Sequence, residues 1–144
     1  MLVVGALLLV LAFSVFSEDS EADDQTAIRD VIHAWLDATS EGDARAVYET
    51  WDPEFRERCS FEREEAFLEG TLAGLLSGRA DDAELQIAEI TELFVSTEAP
   101  ADQQAHARLV LRWSDNGAES EGEMAFIKRD GDWYLIPPAQ ECHT

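Results

Sequence analysis

Two cysteines, Cys59 and Cys142, are the residues whose chemistry is easiest to predict from the sequence. Outside the cytoplasm an even pair of cysteines is expected to oxidise, so we predict one disulfide, with two unpaired thiols as the alternative. The bond would close a loop of roughly eighty residues and stabilise the fold by about 4 kcal/mol. A metal site that adds His143 would need further ligands that the nearby sequence does not offer, because structural zinc usually takes four.

A second group with possible chemistry is the alternating run of Glu119, Glu121 and Glu123. Hard cations such as calcium favour clusters of oxygen ligands, but carboxylates two positions apart on a strand are separated by about 6.6 Å and diverge. We therefore predict a solvent-facing strand with Arg108 and Arg112 as cross-strand partners, and neither a metal site nor a cofactor. The sequence contains no Gly-rich phosphate loop, nucleophile elbow, HExxH or CxxC motif, which excludes the enzyme classes that those motifs identify.

The overall charge limits the partners of the chain. Its 144 residues include 31 acidic and 10 basic side chains, which gives a formal net charge of −21. A charge of this size repels phosphate backbones and anionic lipid headgroups, so we predict no nucleic-acid binding. Because 46% of the residues are hydrophobic, the chain is too apolar to be disordered and should have a packed core.

The N-terminal segment predicts a membrane anchor. Residues 1–17 carry no charged side chain and are just long enough to span hydrocarbon. They lack the basic flank and small-x-small site of a cleaved signal, so we predict an uncleaved anchor, with secretion as the alternative. The acidic residues 18–25 follow as a linker, and residues 26–144 form one domain that faces outward, because no basic residue precedes Arg29.

Three helices are expected in the first half of the domain. Asp23 or Asp24 would cap the first helix, which ends at Gly42. Asp43 would cap the second helix, which Pro53 ends, and the third follows Ser60. Apolar residues at helical spacing form a face on the first helix, namely Ile28, Val31, Ile32, Trp35 and Leu36.

After residue 82 the hydrophobic period changes to two, which indicates strands. A break in alternation near Ala88 and Glu89 predicts a bulge in the first strand. Asp130-Gly131 predicts a hairpin turn before the last strand. The fold class is therefore α+β, with three helices packed on a curved antiparallel sheet of about four strands, preceded by a hydrophobic helix.

This order of elements resembles the nuclear transport factor 2-like superfamily, in which a cystatin-like sheet curls around a helix to form a cone. Two passages carry the resemblance: AIRDVIHAWLDATSEGD over residues 27–43 is similar to the opening helix and its "GD" turn, and FIKRDGDWYL over residues 126–135 is similar to the last hairpin. The resemblance implies a cone fold and is closest to exported or membrane-tethered members of unassigned role. It implies a fold far more strongly than an activity.

Enzymes of this superfamily need a carboxylate or histidine that faces an apolar cavity, where desolvation tunes its pKa. The candidates here are His33 and Asp37, and Tyr48 could offer a phenol to an oxyanion, although a buried tyrosine is usually a core residue with one partner. His33 and Asp37 share a stripe with Arg29 that flanks or opposes the apolar helix face, so a solvated charged row is the favoured interpretation. The cone would be lined or filled by large apolar residues, namely Trp35, Trp51, Phe67, Leu72 and Trp113.

Two functions follow from these observations. The first is a tethered, non-catalytic module that binds a small molecule or a protein, and the alternative is a cone-pocket enzyme of the isomerase, cyclase or dehydratase type. An open apolar cavity with an acid or base would favour the enzyme, and a filled cone would leave no site. The membrane is the predicted partner of the N-terminal segment, and a homodimer through the sheet face is left open.

Overall fold

The computed structural model describes residues 2–96 and 103–143, with the side chains of residues 22–96 and 103–143. Four helices lie in the described residues, α1 (Leu2–Glu41), α2 (Ala44–Glu49), α3 (Pro53–Arg58) and α4 (Phe61–Leu76). Four strands follow, β1 (Leu85–Val95), β2 (Gln104–Trp113), β3 (Glu119–Arg129) and β4 (Asp132–Leu135). They form one antiparallel sheet in the order β1-β2-β3-β4, so the predicted α+β class and four strands are confirmed.

The anchor predicted for residues 1–17 lies outside the residues whose side chains are described. Among the residues whose side chains are described, no helix combines the length and the apolar character that a membrane crossing needs.

Two details of the helices differ from the sequence-based prediction. Helix α1 starts at Leu2, so Asp23 and Asp24 lie inside it and cap nothing. Three helices were expected, but α3 is a fourth: α2 already ends at Glu49 with Thr50 as its C-cap, and Pro53, which was predicted to end α2, instead begins α3. Proline suits the first helical position, where its missing N–H is not needed, and the Asp52 carboxylate accepts a hydrogen bond from the Glu54 N–H at 3.2 Å.

The junction between α1 and α2 follows the prediction. Gly42 ends α1 with a φ of +69°, a left-handed conformation that favours glycine. A Cβ on this residue would lie 3.1 Å from Leu76 Cδ1, so α4 also packs closely here. Asp43 caps α2 by accepting a hydrogen bond from the Ala46 N–H at 3.1 Å.

The sheet has an irregular first strand and a tight last hairpin. Register shifts interrupt β1 between Ile87 and Glu89, which confirms the predicted bulge, and again between Ile90 and Glu92. The β3–β4 turn uses Asp130 and Gly131, whose φ values of 51° and 88° fit the primed turns that join twisted strands.

The core lies between the helices and one face of the sheet. Every second residue of β2 points into it, and the opposite residues point outward. Helix α1 covers this inner face with Ile28 and Ile32, both completely buried, and with Leu36. The side chains that β2 contributes are Ala105, Ala107, Leu109, Leu111 and Trp113.

Asp24 connects α1 to the last hairpin. Its Oδ1 accepts hydrogen bonds from Lys128 Nζ at 2.9 Å and from Trp133 Nε1 at 3.0 Å. Lys128 is the single lysine of the chain. An aspartate within the acidic stretch that was predicted to be a solvated linker is therefore buried and paired across 104 positions of sequence.

We expect Asp24→Ala to lower the free energy of unfolding by about 2 kcal/mol, because the substitution leaves the buried Trp133 N–H and the Lys128 ammonium without their acceptor. Urea unfolding monitored by tryptophan fluorescence measures the effect. Asp23→Ala is the matched control, since Asp23 is exposed on the same helix and its replacement should change the free energy by under about 0.5 kcal/mol. Equal effects of the two substitutions would contradict the anchoring role of Asp24.

Candidate ligand cavity

A cavity of about 550 Å³ lies between the inner face of the sheet and the helices. This volume is within the range of small-molecule sites, about 300–1,000 Å³. Its bordering residues come from α1, α2, α4, β2, β3 and β4, from Trp51 between α2 and α3, and from the segment after β4. Phe67 and Leu75 border it and are exposed, so part of its border lies at the protein surface.

Gly122 accounts for part of the open space. It lies on β3 opposite Leu109, in the row that faces the helices, and both residues border the cavity. A Cβ placed on Gly122 would meet no atom within 4 Å. The missing side chain therefore leaves unfilled volume at a position where a neighbouring strand supplies a leucine.

Four of the five residues predicted to line or fill the cone border this cavity: Trp35, Trp51, Phe67 and Leu72. The fifth, Trp113, is buried elsewhere in the core, and the Arg79 guanidinium lies 4.4 Å from the centre of its ring. Of the two alternatives left open by the sequence, an open or a filled cone, the large aromatic residues form walls and leave a cavity between them.

None of the three acid/base candidates borders the cavity in the described residues. His33 and Asp37 are exposed on α1. Tyr48 is buried, and its O–H donates to the carbonyl oxygen of Cys59 at 2.8 Å, with the carbonyl oxygen of Arg56 at 3.1 Å. Burial raises the pKa of the Tyr48 phenol, so it stays protonated and bonded to the main chain.

Glu123 is the one carboxylate residue on the described border of the cavity, and its side chain belongs to the outer face of the sheet. There its Oε1 pairs with Arg108 Nη2 at 2.8 Å, which confirms the predicted cross-strand pairing, and Arg112 pairs with Glu119 in the same way. The hydrogen bond from Arg108 holds the pKa of the Glu123 carboxyl below its usual range. Because neighbours along a strand face opposite sides, Glu123 meets the cavity through its main chain.

Thr71 and Gln140 border the cavity but are exposed, and the buried residue with a polar side chain on its described border is Thr39. The residue lies near the end of α1 and is 1% exposed. Its Oγ1 is buried and has no hydrogen-bond partner within the part of the chain that the structure describes. Sequence reasoning missed Thr39, because a threonine at the end of an amphipathic helix carries no signal that separates it from its neighbours.

The segment after β4 closes one side of the cavity with Pro137, Pro138 and Gln140. It is fixed by the disulfide between Cys59 and Cys142, whose Cα atoms are 5.3 Å apart. The predicted pairing of the two cysteines is therefore confirmed.

His143 adds a second attachment of this segment. Its main-chain N–H donates to Glu64 Oε1 at 2.9 Å, and its ring Nδ1 lies 2.6 Å from Glu64 Oε2. The imidazole ring stacks on the Phe67 ring, with the ring centroids 3.7 Å apart. Glu64 lies in the first turn of α4 and is completely buried. Its role depends on a partner 79 positions away, which no local pattern reveals.

One group of metal-ligand type comes together among the described side chains, namely Cys59, Glu64 and Cys142, with ligand atoms within 4.8 Å of one another. Both sulfur atoms are joined in the disulfide, so they are not thiolates that could bind a metal.

Comparison with models of protein families and with curated protein sequences gives no match for this chain. The resemblance to the nuclear transport factor 2-like superfamily therefore stays a prediction, carried by the passages at residues 27–43 and 126–135.

We expect Tyr48→Phe to lower the free energy of unfolding by about 1 kcal/mol at neutral pH, because the carbonyl oxygen of Cys59 loses a buried donor. The unfolded phenol ionises near its ordinary pKa of 10.0, whereas burial raises the pKa of the folded one, so wild-type stability should fall as pH rises above about 10. Urea unfolding at about pH 8 and about pH 10.5 measures both effects.

The pH-dependent loss should be smaller in Tyr48→Phe than in wild type. Tyr134→Phe is the control, because Tyr134 is only half-buried. Parallel pH profiles for the wild type and Tyr48→Phe would show that the Tyr48 phenol is not held in its neutral form by folding.

Proposed function

We propose that this chain is an extracytoplasmic, membrane-tethered, non-catalytic module of the nuclear transport factor 2-like type that binds a small, largely apolar molecule. The observation that carries the proposal is the 550 Å³ cavity bordered by aliphatic and aromatic side chains. Burial of a ligand's apolar surface there would supply about 25 cal/mol per Å² removed from water.

The chemistry of the border supports binding over proton transfer. General acid/base catalysis needs a titratable group within hydrogen-bond reach of the substrate. His33 and Asp37 are exposed away from the cavity, and the Tyr48 O–H is engaged by main-chain oxygens. Glu123 is paired with Arg108 on the outer face, so the described border offers no free acid or base to a ligand.

Two observations support the proposed location. The apolar run of residues 1–17 predicts an anchor, and the bond between Cys59 and Cys142 is compatible with an oxidising compartment.

The architecture supports the proposed fold type. Helices pack on one face of a four-stranded antiparallel sheet whose first strand is interrupted, which agrees with the order of elements expected for the cone fold.

We expect Gly122→Phe to weaken binding of N-phenyl-1-naphthylamine by about tenfold or more, because the phenyl group occupies the cavity. The assay uses the full chain in lipid nanodiscs and measures energy transfer from tryptophan to the probe. Since a Cβ on Gly122 meets open space, the free energy of unfolding should stay within about 1 kcal/mol of wild type.

The matched control is Gly74→Phe, which adds the same side chain at an exposed glycine outside the cavity and should bind the probe like wild type. Gly122→Leu adds a smaller group and should give an intermediate loss. The same probe signal from the wild-type chain, the Gly122→Phe chain and empty nanodiscs would overturn the proposed function.

A further inference from the structure

The hydroxyl of Thr39 differs from those of two half-buried residues, Ser40 and Thr50. The next residue, Ser40, donates its hydroxyl to the Leu36 carbonyl oxygen at 2.8 Å and accepts from the Leu85 N–H at 2.8 Å. Thr50 donates to the Val47 carbonyl oxygen at 2.6 Å. Thr39 Oγ1 is buried and has no such partner among the described residues, and Thr39 borders the cavity.

A buried hydroxyl without a partner is unfavourable, because it has lost its hydrogen bonds to water. A ligand in the cavity that brings a hydrogen-bonding group to Thr39 would restore one of them. The other bordering polar side chains, Thr71 and Gln140, are exposed at the rim, and the Gln140 amide already donates to Pro137. Recognition inside the cavity therefore depends on a single hydroxyl surrounded by apolar groups.

The charge of the ligand is limited by the same border. It contains no lysine, arginine or histidine among the described residues, and the chain carries a net charge of −21. An anionic headgroup would lose its hydration without gaining a cationic partner. A cationic headgroup would find no carboxylate inside, because Glu123 pairs with Arg108 on the opposite face of the sheet.

We propose that the cavity takes a neutral amphiphile, an apolar body with one hydroxyl or carbonyl group that exchanges a hydrogen bond with Thr39. This inference rests on the proposed binding function and adds the chemical class of the ligand. Thr39 is in this view a specificity-determining residue, and the walls formed by Trp35, Trp51 and Leu72 hold the apolar part.

Three naphthalene derivatives of similar size test the class of ligand: 2-naphthol, 2-methylnaphthalene and 2-naphthoate. Each competes with N-phenyl-1-naphthylamine on the full chain in nanodiscs, and the Gly122→Phe chain supplies the background from probe in the lipid. We expect naphthol to bind about 2- to 10-fold more tightly than methylnaphthalene, and naphthoate to bind more weakly than both.

The variant that tests the residue is Thr39→Val, which replaces the hydroxyl with a methyl group of similar size. Naphthol should lose its advantage over methylnaphthalene, whereas the midpoint of thermal unfolding should rise by a few degrees because an unpaired buried hydroxyl is removed. Thr71→Val, at the exposed rim, should leave the preference unchanged. Ser40→Ala should instead lower the midpoint, because its hydroxyl is fully used.

The outcomes separate the two proposals. If none of the probes distinguishes wild type from Gly122→Phe, the binding function fails. If methylnaphthalene binds as well as naphthol, or if the preference for naphthol survives in Thr39→Val, the cavity binds apolar molecules but the assigned ligand class and the role of Thr39 are wrong. Tighter binding of naphthoate than of naphthol would likewise overturn the neutral class.

Discussion

Packing of helix α1 against the inner face of the sheet is the interaction on which the other features depend. Ile28 and Ile32 are completely buried there, and each such side chain contributes about 1.5–3 kcal/mol relative to exposure. The same helix carries Asp24 toward one end of this contact and Thr39 toward the other. Its position on the sheet therefore sets both the ion pair with the last hairpin and one wall of the cavity.

The cavity exists because its walls are held apart and one position is left unfilled. Gly122 adds no side chain to the inner face, and the segment after β4, which borders the gap, is attached at its far end. That attachment combines a covalent bond at Cys142 with the buried pair of Glu64 and His143. A buried carboxylate without hydrogen bonds destabilises the fold. The bonds between Glu64 and His143 therefore satisfy the carboxylate and also hold the segment after β4 in place.

The few basic residues of this acidic chain are used at specific places. Lys128 bonds to Asp24, Arg129 to Asp52 and Glu54, and Arg108 to Glu123. The pair of Arg108 and Glu123 on the exposed sheet face contributes little stability because solvent screens it, whereas the partly buried pair at Asp24 also satisfies the Trp133 N–H. The carboxylates that the sequence suggests as catalytic or metal-binding groups are thus exposed to solvent or paired with arginine. The side chains around the cavity are mostly apolar.

The sequence by itself determined the features that depend on neighbours along the chain. Hydrophobic period distinguished helices from strands, Gly42 and Asp43 marked the α1–α2 junction, and Asp130-Gly131 marked the last turn, because each is set by local backbone chemistry. The missed helix α3 is also local in origin, since Pro53 was interpreted only as an end and not as a beginning. The cysteine pairing followed because only one pair was available.

Only the tertiary structure decided which residues meet across long stretches of chain. Asp24 and Lys128, or Glu64 and His143, come together because the helices fold over the sheet, and nothing in the sequence near either partner encodes the other. The cavity has the same origin: whether large side chains fill a space or surround it depends on distances between whole elements. A buried hydroxyl such as Thr39 is left unpaired only when those distances place no partner within reach.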